Sequence, residues 1–150
     1  MNQHGGEMKM KKITALLATA LLLAACGGSS EAEKTGHGET AKDNNGDYAT
    51  ADITVKGDDV VEITLDETKE GKSKKELKEE YGMKDTSSIK KEWYEQVEFL
   101  ENYIEENGLE AVKLDEAGYA SGDDVKAGCT INLTNLMNAA NAAKEAAAAE

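Results

Sequence analysis

With 150 residues, a formal net charge of −13 and 39% hydrophobic residues, the chain has room for one modest domain and not two. Residues 1–25 hold Lys9, Lys11 and Lys12 against the single acid Glu7, so the remainder is more acidic still, which excludes nucleic acid as a partner. Arginine and proline are absent, so no arginine clamp on phosphate or carboxylate can form within the chain.

Lys9, Lys11 and Lys12 precede an apolar run from Ile13 to Ala25 that ends in Leu23-Ala24-Ala25-Cys26. Thirteen residues are too few to cross roughly 30 Å of hydrocarbon as a helix, but they suit a signal segment with small residues before a cleavage point. The segment resembles a bacterial lipoprotein signal with its lipobox. That resemblance implies removal of residues 1–25 and a lipidated Cys26 that holds the protein to membrane lipid on the extracytoplasmic face of the cell membrane. Cys129 is then left without a partner, and with no arginine or histidine to activate it, it is expected to be a small buried apolar residue.

Residues 26–46 read as the lipid-bearing cysteine followed by a flexible linker, because Gly27 to Gly46 contains no apolar residue larger than alanine. Such a tether has a reach of about 25 Å. His4 lies in the signal and His37 in this linker, so the folded part is expected to contain no imidazole, which removes histidine triads and ordinary zinc sites; no metal site is expected. The folded domain is expected over residues 47–150.

Ala49, Ala51, Ile53 and Val55 alternate with polar residues, and after the turn chemistry of Lys56-Gly57-Asp58-Asp59 the residues Val61, Ile63 and Leu65 alternate again. The pair predicts a β-hairpin. Lys69 to Lys78 reads as an exposed connection with a helical turn around Leu77. A helix is predicted from Ser87 or Ser88 to Asn107-Gly108, with Ile89, Trp93, Val97, Leu100 and Ile104 on one side and Trp93 in the core. Tyr94, Phe99 and Tyr103 flank this stripe as candidate ligand-border residues. Cys129, Ile131 and Leu133 predict a short strand, and Thr134 is expected to cap an alanine-rich C-terminal helix that packs through Leu136, Ala140, Ala143 and Ala147. The fold class is α+β, a small antiparallel sheet packed against one amphipathic helix and a C-terminal helix.

The segment Asp124-Val125-Lys126-Ala127-Gly128-Cys129-Thr130 resembles the flavinylation motif of the FMN-binding domain family: Asp, two variable residues, then Ser-Gly-Ala-Thr/Ser. Asp124, Gly128 and Thr130 match, whereas Ala127 replaces the usual serine and Cys129 the usual alanine. Lys74-Lys75-Glu76-Leu77, Tyr81-Gly82-Met83-Lys84 and Lys91-Glu92-Trp93-Tyr94-Glu95-Gln96 are similar to segments of FMN-binding-domain lipoproteins of anaerobic Gram-positive bacteria. Together the resemblance covers about residues 47–148.

The resemblance implies FMN held by Asp124, Ala127, Gly128, Cys129 and Thr130, and joined through its phosphate to the Thr130 hydroxyl by a separate flavin transferase. The flavin would pass electrons to and from a membrane redox partner. On that reading the protein is an electron-transfer carrier rather than a turnover enzyme. Read from the residues alone, Ala127 to Thr130 is a glycine bend leading into a strand. The corresponding functional alternative is a non-redox surface lipoprotein with a decayed flavin motif that binds a protein or small ligand.

Overall fold

The computed structural model describes residues 31–150. The expected signal segment and the lipid-bearing Cys26 lie outside the described residues. Within them, four antiparallel strands form one sheet in the order β1 (Glu33–Glu39), β2 (Ala49–Lys56), β3 (Asp59–Lys69) and β4 (Lys72–Ser73). Helices pack on this sheet, giving an α+β domain. No helix of the described residues is long and apolar enough to cross a membrane.

The predicted hairpin is β2–β3, closed at Gly57, whose φ of +62° suits glycine in a tight turn. Ala49, Ala51, Ile53 and Val55 face the core as their alternation requires. On β3 the expected inward set is modified. The register shifts beside Thr54 and Val55, so that Val55 pairs with Val60 and Thr54 with Glu62. Val60 turns inward, and Val61 is left 46% exposed.

The linker expected over residues 26–46 is corrected by β1. Glu33–Glu39 pairs along its whole length with β2, from Glu33 opposite Lys56 to Glu39 opposite Thr50. No large side chain is needed, because the strand packs through its glycines. An added Cβ would stand 1.9 Å from the Ala143 carbonyl oxygen at Gly36 and 2.1 Å from the Ala139 carbonyl oxygen at Gly38. His37 therefore belongs to the folded domain after all, exposed, with Nδ1 2.8 Å from Asp52 Oδ1. The neighbouring Asp43–Asp47 segment is a turn, with Asp43 Oδ1 accepting from the Asn45 and Asp47 N–H groups.

After the short helix α1 (Lys74–Leu77), the main helix α2 (Trp93–Asn107) begins later than Ser87 or Ser88. Lys90 has a φ of +54°, which a right-handed helix does not accept. Glu92 caps α2 instead. It exchanges bonds with Glu95 in a capping box, and its Oε2 also accepts from the Met83 N–H at 2.9 Å. Trp93, Val97, Leu100 and Ile104 are buried, the tryptophan at 2% exposure. The same helix closes the open edge of β3: Glu105 Oε1 accepts from the Ile63 N–H at 3.0 Å and Glu101 Oε1 from the Leu65 N–H at 2.6 Å. Burial, against the hydrogen bonds from the Leu65 N–H and Lys75, pushes the Glu101 carboxyl above its usual value.

A four-residue helix α3 (Asp123–Lys126) precedes the motif's second half, and α4 (Thr134–Ala148) completes the chain. Leu136, Ala140, Ala143 and Ala147 are buried as predicted. The strand predicted at Cys129–Leu133 does not form. Its inward side chains are buried, but its backbone bonds go elsewhere: the Thr130 N–H to the Gln96 side chain and the Leu133 N–H to the Gly118 carbonyl. Nor does Thr134 cap α4, since Asn132 Oδ1 accepts from the Thr134 N–H at 3.0 Å.

Candidate functional site

Three successive turns of α2 hold the motif segment. At about 100° per residue, Gln96, Phe99 and Tyr103 fall within an arc of about 60° on the helix. Each meets one matched motif position. Tyr103 Oη donates to Asp124 Oδ2 at 2.6 Å, an added Cβ at Gly128 would stand 2.4 Å from the Phe99 ring, and Gln96 Oε1 accepts from the Thr130 N–H at 2.9 Å. The motif thus runs antiparallel along the helix, and the Phe99 and Tyr103 rings, 6.5 Å apart and stacked, lie against it rather than beside an open site.

The five motif positions have different surroundings. Asp124 and Ala127 are exposed, and Gly128 and Cys129 are buried. The missing Cβ of Gly128 makes room for the Phe99 ring. Desolvation pushes the Cys129 thiol up to about 11, so the thiol beside Thr130 is not a competing nucleophile at neutral pH. Thr130 is half-buried and lines a cleft.

That cleft, of ≈330 Å³, is formed by Thr130 with Met83, Ser87, Gln96, Tyr119 and Asn132 among others. No residue lining it carries a charge, although the protein as a whole is strongly acidic. Gln96 organises it. It is fully buried; its Oε1 accepts from both the backbone N–H and, at 3.2 Å, the hydroxyl of Thr130. Its Nε2 donates to Ser87 Oγ at 3.2 Å and to the Lys91 carbonyl at 3.1 Å. The Thr130 proton is directed to Gln96, so the hydroxyl offers lone pairs to a partner.

The residues present fit the phosphate end of an FMN. Hydroxyls at Ser87 and Ser88 and the amide of Asn132 line the cleft with Thr130, offering neutral donors, while the Thr86 hydroxyl is taken by the Met83 carbonyl and the Glu92 carboxylate is bonded to the Met83 N–H. The volume lies at the lower end of the roughly 300–1,000 Å³ common for small-molecule sites. Sequence reasoning missed Gln96 and the Thr86–Ser88 loop. The available signal was an amide three residues after Trp93 and one before Val97, inside the buried stripe of an otherwise apolar helix face. Among the described residues there is no cluster of three or more potential metal ligands.

No family model and no curated protein matches the chain. Among solved structures it is similar to a solution NMR structure of a protein from Clostridium thermocellum, at 24% identity and a TM-score of 0.50, covering 75% of this chain and 89% of that one. The likeness is one of fold.

Proposed function

We propose that the protein is a membrane-anchored, extracytoplasmic FMN-binding lipoprotein that carries electrons on a flavin esterified to Thr130. The observation that carries this reading is the placement of the Thr130 hydroxyl in a neutral, hydroxyl-lined cleft by the fully buried Gln96, at the position the motif resemblance assigns to the flavin ester. Forming it would join Thr130 Oγ1 to the FMN phosphorus of a flavin dinucleotide donor, with the pyrophosphate bond breaking, the nucleoside monophosphate leaving and the hydroxyl proton passing to the transferase. Bound there, the flavin supplies the redox chemistry. Gln96 fixes the attachment point through the Thr130 N–H, the bond that survives esterification, and the neutral lining spares the phosphate contact with carboxylates. A covalent link also prevents loss by dilution from a carrier held outside the cytoplasm, and the lipid on Cys26 keeps it near a membrane redox partner.

The test is flavin fluorescence after denaturing electrophoresis of protein made with a flavin transferase and flavin supply. The parent is expected to give a fluorescent band and Thr130→Val none. The valine variant keeps the backbone N–H bond to Gln96, so its folding loss is expected at only about 0.5–1.5 kcal/mol. Thr130→Ser is expected to retain labelling. A dark parent band, or a Thr130→Val band as bright as the parent's, contradicts the proposal and favours a cleft for a non-redox ligand.

A further inference from the structure

The cleft at Thr130 has a neighbour on the other side of Met83. A second cleft, of ≈340 Å³, shares Met83, Ile131 and Asn132 with the first and reaches Glu67, Lys74 and Tyr81. Its chemistry differs from that of the Thr130 end. Lys74 forms an ion pair with Glu67, and the two side chains are only 12% and 17% exposed. Lys74 Nζ also stands 5.1 Å from the centre of the Tyr81 ring and 5.3 Å from that of Trp93, while Asn135 Nδ2 donates to Glu67 Oε1 at 3.4 Å. Charges screened this far from water act on a neighbour more strongly than surface charges do. Each cleft alone is near the lower limit for a small-molecule site. An elongated ligand attached at Thr130 would need both, with its phosphate end in the first and its other end past Met83 in the second.

Resting on the flavin reading above, we infer that the second cleft holds the isoalloxazine ring, with the Lys74–Glu67 pair facing it and the two opposite charges setting its reduction potential. Reduction of the ring by two electrons and one proton adds one negative charge to it. An ammonium nearby favours that reduced form, and a carboxylate opposes it. Lys74→Met is therefore expected to move the potential in the negative direction and Glu67→Gln in the positive direction. Generalised loosening of the fold gives no reason for opposite signs.

The experiment is an anaerobic titration with dithionite, the two-electron reductant, of flavin-labelled parent, Lys74→Met, Glu67→Gln and Lys74→Arg proteins. Labelling is checked on the denatured band. The expected result is labelling of all four, opposite shifts for the first two variants and a potential near the parent's for Lys74→Arg, which keeps the charge. Labelled variants whose potentials equal the parent's, or shift in the same direction, overturn the ring site while leaving attachment at Thr130 intact. An unlabelled parent overturns the flavin reading and this inference with it.

Discussion

Asp124 and Tyr103 fasten the segment before Thr130 to α2. The Tyr103 hydroxyl, and after it the Val125 N–H, hold Asp124 below its usual range. Asp124, and after it partial desolvation, pushes Tyr103 above its usual range. A depressed carboxylate contributes stability above its unfolded pKa and loses it as pH falls through the folded one. A raised phenol contributes below its unfolded pKa and loses it as pH rises through the folded one. The tie therefore holds across neutral pH and lapses at both extremes. Tyr103→Phe is expected to raise the Asp124 pKa towards the ordinary carboxylate value in an NMR titration; an unchanged value would remove Tyr103 as the cause. Thr130 was legible as a candidate because a hydroxyl after a glycine matches a known pattern. Gln96, which positions it, belongs to no short pattern, since the two residues meet only when α2 and the motif segment dock.

At the scale of elements, legibility followed side-chain size. The β2–β3 hairpin and the buried faces of α2 and α4 announce themselves through large or regularly spaced apolar residues. β1 does not, because Gly36 and Gly38 let the strand approach the α4 backbone and leave no apolar alternation to read. Lys90, at positive φ, delays α2 by a turn that the serines before it suggested. Gly36→Ala would drive a Cβ against the Ala143 carbonyl and the Ala147 N–H nitrogen, 1.9 and 2.6 Å away, both backbone. The expected loss is about 3 kcal/mol or more in urea unfolding. Gly46→Ala, in open space at a φ of +83°, should cost only about 1–2 kcal/mol. Equal losses would mean that β1 is not pressed on α4.

Over the whole molecule, β1, β2 and α4 form one packed side, while α2 serves the other in two ways. Its glutamates close the β3 edge through the Ile63 and Leu65 N–H groups, and its Gln96, Phe99 and Tyr103 face seats the motif segment. The site therefore rests on the element that also completes the sheet, which keeps the Thr130 hydroxyl on a rigid support. The acidic surface disfavours capture of a free anionic nucleotide, whereas a phosphoester to a neutral cleft does not depend on attraction. The most direct measurement is the intact mass of the protein from cells that contain a flavin transferase, followed by fragmentation of the peptide bearing Thr130. The expected result is a gain of one flavin mononucleotide less one water, located on Thr130; an unmodified Thr130 peptide, with the mass unchanged, would contradict the account.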